Sequence, residues 1–211
     1  MSILSKLQNN KGTVSSSLGK SLGQQVLKGD PDILSEAINL ISFDDKNVRS
    51  GAAKIIETVA EKKPEYVSPY LSRLLPSLEV QEPQTRWVVL HVLGLCAKLE
   101  PQISLKAFPK AEQFLKENSG MCLWDRSITY LGYIGSISEK EAVKIFPILE
   151  KCMVSIPERI PRIFEGFERM IPVLNSNLKT KLKGISDKFT NNTSSTVKNW
   201  AKRLQKILLK E

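Results

Sequence analysis

Apolar residues recur along most of the chain at the spacing of an amphipathic α-helix. The clearest stripe occupies positions i, i+4, i+7, i+8 and i+11: Val48, Ala52, Ile55, Ile56 and Val59. A second stripe repeats the first one 37 positions later: Thr85, Val89, Val92, Leu93 and Cys96. No segment shows the period-two alternation of a half-buried strand. The pattern therefore predicts an all-α protein built from a repeated unit.

The repeated unit is a pair of helices, and the stripes predict five such pairs. Their approximate bounds are residues 31–63, 64–101, 102–138, 139–175 and 176–211. Ahead of them, apolar residues every four positions predict a helix that caps the open end of the array: Val14, Leu18, Leu22 and Val26. We expect residues 1–13 to form a flexible N-terminal tail and residues 14–211 to form a single domain.

The second helix of the first pair carries a recognisable sequence. An acidic turn at Asp44 and Asp45 is followed by Val48-Arg49 and then by the small residues Ala52 and Ala53. This arrangement resembles the HEAT repeat, a unit of armadillo-like α-solenoids. The resemblance implies a right-handed α-α superhelix of about five HEAT-like pairs, with the second helices lining its concave face.

Acidic and arginine residues occupy matching places in the first two pairs. Asp45 precedes Arg49 by four residues, and Glu82 precedes Arg86 by four. We interpret these four residues as a structural ladder in which each arginine links its own acid to the next repeat's turn. The alternative is a positive stripe that serves a ligand. Trp124 occupies the arginine position of the third pair, so we expect the ladder to be interrupted there.

Stacked aromatic residues beside cations suggest a recognition site on two second helices. The candidate partner-binding residues are Trp87, His91, Trp124 and Arg126. HEAT-like alkylpurine DNA glycosylases use such a groove, with an aspartate one turn after a tryptophan. Here His91 and Ile128 stand at those positions, so the glycosylase acid is not matched. The alternative interpretation is that both tryptophans only pack between helices.

Positive charge is concentrated at the C-terminal end. The whole chain has a net charge of +9, and residues 175–211 hold nine Lys and Arg residues against two acids, a net charge of +7. The candidate surface for an acidic ligand or phosphate comprises Lys179, Lys183, Lys198, Lys202 and Lys206. The alternative is a terminal repeat whose polar outer face only keeps the protein in solution.

The remaining chemistry excludes several function classes. A single histidine cannot form a His-based metal site, and the three cysteines lack Cys-x-x-Cys spacing. No phosphate-binding glycine loop occurs, and no apolar run is long enough for a membrane span. We therefore expect no cofactor, no metal, no membrane partner and a cytoplasmic location with reduced thiols.

The sequence favours a non-catalytic HEAT-repeat adaptor that binds a protein partner through its concave face. The alternative function is nucleic-acid binding, expected to be weak, through the basic C-terminal repeat. A base-excision enzyme is a remote version of that alternative.

Overall fold

A computed structural model describes residues 2–10, 16–117 and 120–210. Fourteen α-helices (α1–α14) and no strand are found in these residues. Contacts divide the chain into two compact units, Met1–Ser127 and Ile128–Glu211, and the boundary falls inside α10. None of the helices in the described ranges is long and apolar enough to cross a membrane.

The first unit contains α1 to α9 and the start of α10. Their bounds are Ile3–Asn9, Ser16–Leu27, Asp32–Leu40, Lys46–Ala60, Pro64–Val67, Leu71–Leu74, Pro83–Leu95, Pro101–Ser104, Phe108–Lys116 and Met121–Gly135. The second unit contains the end of α10 and then α11 to α14. The bounds of these four helices are Glu139–Ser155, Ile160–Met170, Ser176–Asp187 and Ser195–Leu208.

The segment that opens the second pair, residues 64–78, forms short helical pieces rather than one helix. Helices α5 and α6 are separated by a 3₁₀ turn at Ser68–Tyr70, and a second 3₁₀ turn follows at Leu75–Leu78. Pro69 and Pro76 cause the breaks, because a proline has no N–H to donate to the carbonyl four residues earlier. The expected pairing of helices is retained, although this first helix of the pair is not continuous.

Second helices of neighbouring pairs stack side by side in a regular register. In the first unit, a methyl group on Gly23 of α2 would lie 2.6 Å from Cβ of Thr58 of α4, and one on Gly19 would lie 2.8 Å from Cβ of Lys54. Both pairs are 35 residues apart and run in the same direction, so the two helices are parallel. The hydroxyls of Ser50 and Thr85, also 35 residues apart, lie 3.1 Å from each other.

Residues 3–9 differ from the expected flexible tail. They form α1, in which Ile3 and Leu7 are buried and the backbone N–H of Leu4 donates to Glu36 Oε1 over 3.1 Å. Helix α1 packs against α3 and α4, with the side chain of Leu7 lying against Gly51. The predicted helix start at Val14 lies outside the described residues, as do residues 11–13.

The core residues follow the predicted stripes. All ten residues of the two predicted stripes are 0–1% exposed, which confirms the phase of the pattern. Leu131, Ile171 and Leu204 are buried to the same degree in the second unit. In the second unit, α10 and α12 approach so closely that a methyl group on Gly132 would lie 2.7 Å from Cα of Gly166. Only glycine fits such a crossing without displacing backbone.

We predict that Gly132→Ala lowers the free energy of unfolding by about 1–3 kcal/mol, because the backbone of Gly166 cannot move aside as a flexible side chain can. The matched control is Gly184→Ala in α13, where nothing lies within 4 Å of the added methyl group. That change should be neutral or stabilising by up to about 1 kcal/mol. Urea denaturation of both variants tests the pair, and equal midpoints would contradict the close approach of α10 and α12.

Candidate partner-binding face

A fully buried carboxylate lies at the centre of the second-helix face in the first unit. Glu57 of α4 is 0% exposed. Its Oε1 lies 2.7 Å from Nδ1 of His91 on α7 and accepts a hydrogen bond of 3.2 Å from Nη2 of Arg126 on α10. Its Oε2 accepts a hydrogen bond from Nζ of Lys54. Three successive second helices therefore meet at one side chain, which we call the Glu57 cluster (Lys54, Glu57, His91 and Arg126).

Within the cluster, the carboxylate of Glu57 is held in its ionised form. Burial raises the pKa of Glu57, but the hydrogen bonds from His91 and Lys54 and the positive charge of Lys54 outweigh this effect, and the pKa falls to about 2. Burial lowers the pKa of His91, against the opposing effect of its hydrogen bond to Glu57. The imidazole is therefore neutral at pH 7, and its Nδ1–H donates to Glu57.

Together with Glu57 and His91, Glu61 places three metal-ligating side chains in this region, but the neighbouring positive charges disfavour a metal ion. One ligand atom each from Glu57, Glu61 and His91 lie within 4.8 Å of one another. However, Lys54 and Arg126 already occupy both oxygens of Glu57. A divalent cation would have to displace these two positive groups, so the arrangement suits an ion-pair network better than a metal.

Arg49 joins the first pair to the second. Its Nε and Nη2 donate to the two carboxylate oxygens of Glu82 over 2.7 and 2.8 Å, and its Nη1 donates to the carbonyls of Phe43 and Asp44. Asp45 instead caps α4, accepting from the backbone N–H of Asn47 at 2.7 Å. Arg49 therefore links its own turn to the acid of the next pair through a bidentate bond.

Arg86 and Trp124 contact the corresponding turns, and among the described residues neither is bonded to an acidic side chain. Nη2 of Arg86 donates to the carbonyl of Gln81 over 3.4 Å, and its guanidinium lies 5.3 Å from the ring centre of Phe114. The indole N–H of Trp124 donates to the carbonyl of Glu117 over 3.2 Å. The tryptophan thus takes over the contact to the turn that arginine makes in the earlier pairs.

The four candidate recognition residues are divided between two places. His91 and Arg126 belong to the Glu57 cluster, with Trp87 one helical turn before His91 on α7 and half-buried. Trp124 is directed to the turn at Glu117 by its own hydrogen bond. Sequence reasoning missed Glu57, because its donors His91 and Arg126 lie 34 and 69 residues further along the chain.

A second feature that the sequence did not reveal is an apolar groove in the first unit. Val26 of α2, Leu34 of α3 and two tyrosines line a cavity of about 490 Å³. The tyrosines, Tyr66 and Tyr70, are 49% and 37% exposed. This groove lies beside the first helices and contains no residue of the Glu57 cluster.

The predicted lysine surface belongs to the second unit. Its residues lie on α13 and α14: Lys179, Lys183, Lys198, Lys202 and Lys206. Two neighbouring cations are used in ion pairs. Nζ of Lys181 lies 2.6 Å from Glu150, and Nη2 of Arg203 lies 2.7 Å from Glu168.

Comparison with solved structures identifies the fold. A designed armadillo repeat protein in complex with the peptide (KR)4 aligns with 97% of this chain and 97% of its own, with a TM-score of 0.68 and 14% identity. A computationally designed armadillo repeat protein for modular peptide recognition covers 90% and 89%, with a TM-score of 0.67 and 13% identity. The chain is an armadillo- and HEAT-like α-solenoid. At these identities the similarity establishes the fold alone.

An engineered protein matches in the same way, over 98% of this chain and 95% of its own, with a TM-score of 0.61 and 13% identity. Neither a protein-family model nor a curated protein matches the chain. The expected solenoid class is therefore confirmed by structure rather than by sequence similarity.

We predict that the stability of the protein falls as the pH drops below 6.5, because the unfolded His91 takes up a proton that the folded ring resists. The slope should reach at most about 1.4 kcal/mol per pH unit. Glu57 adds nothing to this slope. Its contribution to the stability of the fold is lost only as the pH falls from 4.5 to about 2.

The control for this prediction is His91→Gln, which keeps a donor for Glu57 but does not titrate. His91 is the only histidine of the chain, so the urea midpoint of the variant should change less with pH between 5.5 and 7 than that of the unaltered protein. Equal slopes for the two proteins would mean that His91 is not held neutral.

Arg49→Ala should cost about 2–4 kcal/mol of unfolding free energy. The side chains of Arg49 and Glu82 are only 16% and 13% exposed, so removing the arginine leaves a largely buried carboxylate without its ion-pair partner. Arg203→Ala is the matched control: it breaks an arginine–glutamate pair 35 residues apart, close to the 33 residues between Arg49 and Glu82, and its arginine is 60% exposed. Its loss should be clearly smaller. Thermal denaturation of both variants gives the comparison, and a larger loss for Arg203→Ala would refute it.

Proposed function

We propose that the protein is a non-catalytic repeat scaffold that binds a peptide segment of a protein partner on the second-helix face of its first unit. The observation that carries the proposal is Arg126, whose guanidinium is fixed by buried Glu57 while its side chain stays 31% exposed. A guanidinium has five N–H donors in a rigid plane. Within the described residues, Glu57 is the acceptor that contacts it.

The chemistry of this face favours a peptide with an acidic residue. A guanidinium held in place can bind a carboxylate in bidentate fashion with little loss of side-chain entropy. His91 stands beside it, and the indole of Trp87 one turn away offers apolar contact area. The net charge of +9 also favours an acidic partner over a basic one.

The fold supports a binding role rather than catalysis. Solenoids bind through extended surfaces, and two of the similar designed proteins are described by peptide recognition or a bound peptide. In this chain His91 is engaged by Glu57, and burial raises the pKa of the Cys96 and Cys152 thiols to about 12 and about 11. Thiols with such pKa values are inert at neutral pH.

Selection from a random 12-residue peptide library on immobilised protein tests the proposal. We expect enriched peptides to carry Asp or Glu and to bind Arg126→Ala at least about tenfold more weakly, a loss of about 1.4 kcal/mol. The matched control is Arg73→Ala, an exposed arginine on α6 that donates to Asn39. It should bind the peptides as the unaltered protein does.

Two further measurements keep this test interpretable. Arg126→Lys retains the positive charge but not the planar guanidinium. If a carboxylate is bound, the affinity of this variant should lie between those of the unaltered protein and Arg126→Ala. Thermal denaturation shows whether each variant is folded at the assay temperature. Peptides that bind a folded Arg126→Ala variant with unchanged affinity would refute the site.

A further inference from the structure

Helix α14 presents a continuous polar stripe on the second unit. Four exposed residues stand at positions i, i+4, i+7 and i+11: Ser195, Asn199, Lys202 and Lys206. Lys198 lies beside them and is half-buried. No Asp or Glu occurs between residues 195 and 208. We call these five residues the α14 stripe.

The α14 stripe is separate from the packed side of the helix. Val197, Ala201 and Leu204 are buried on the opposite side. Arg203 is drawn away from the stripe, since it is bonded to Glu168 on α12 and lies 5.0 Å from the ring centre of Trp200. In the described part of the chain, no acid forms an ion pair with the three lysines of the stripe.

We propose that the α14 stripe binds the phosphate backbone of a nucleic-acid duplex. Lysines supply point charges for phosphates, and the hydroxyl of Ser195 and the amide of Asn199 can donate to phosphate oxygens. The stripe contains no arginine for bidentate readout of bases and no aromatic side chain for stacking on single strands. The binding is therefore sequence-independent and favours duplexes.

Two other acidic partners fit the stripe less well. An anionic membrane is bound most firmly when a helix also inserts apolar residues, but the apolar side of α14 is packed inside the unit. Acidic peptides are bound best by the fork of arginine, whereas the stripe offers only lysine. Both partners become outcomes of the test.

The strength of the interaction follows from the number of charges. The stripe spans eleven residue steps, which is about 16 Å along the helix axis. Three lysines can neutralise at most three phosphates, so the slope of log affinity against log salt should approach about −2.7 on duplex DNA. Affinity should then fall about 20-fold between 50 and 150 mM salt.

Fluorescence anisotropy of a labelled 20-base-pair DNA duplex, measured with the full chain at 50, 100 and 150 mM NaCl, tests the proposal. The triple change Lys198→Gln, Lys202→Gln and Lys206→Gln should remove most of the binding at 50 mM salt and flatten the salt dependence. The matched control removes three exposed lysines of the first unit, Lys62, Lys106 and Lys116, by the same substitution. It lowers the net charge equally but should retain most of the affinity.

Three results would overturn the proposal. The first is an equal loss in the control triple, which would reduce the effect to net charge alone. The second is an unchanged affinity in a folded stripe variant, with folding checked by circular dichroism. The third is stripe-dependent binding that is tighter to vesicles with 30% anionic lipid, or to poly-glutamate, than to the duplex. The peptide proposal concerns the first unit and survives any of these results.

Discussion

The structure of the first unit depends on the buried negative charge of Glu57. An ionised carboxylate without contact to water is strongly destabilising unless it is surrounded by donors and positive charge. Here Lys54 supplies a donor from the same helix, and His91 and Arg126 supply donors from the next two second helices. Their positions are 34 and 69 residues after Glu57, so the repeat register of about 35 residues is what brings them to one carboxylate.

The same cluster joins packing to recognition. His91 is kept neutral and oriented, and Arg126 is held at the surface by a partner that cannot move. A fixed guanidinium loses less entropy on binding than a free one. The constraint that stabilises the stack therefore also prepares the side chain that we assign to the partner.

The solenoid class was predictable because its signals are local. The helical stripes and the Val48-Arg49 sequence each depend on a few neighbouring residues, and the observed core agrees with them. Helix α1 was missed because Ile3 and Leu7 alone make too short a stripe to separate from a tail. The breaks at Pro69 and Pro76 show that prolines divide a segment for which hydrophobic periodicity alone predicts one continuous helix.

The Glu57 cluster was not predictable, because a charged residue inside a helix is expected to be exposed unless its hydrogen-bond donors, distant in sequence, are known. Trp124 illustrates the converse case. Its position in the third pair suggested a recognition residue, whereas its indole N–H replaces an arginine contact with the carbonyl of Glu117. Partner choice at the surface depends on such three-dimensional neighbours, which periodicity does not contain.

The central claim, that Glu57 connects successive second helices, is tested most directly by a double-mutant cycle. Urea denaturation of Glu57→Gln, Arg126→Ala and the double variant measures the coupling energy between α4 and α10. We predict a coupling of about 0.5–3 kcal/mol, because either single substitution already removes the ion pair between Glu57 and Arg126. Additive losses, with no coupling beyond experimental error, would contradict the account.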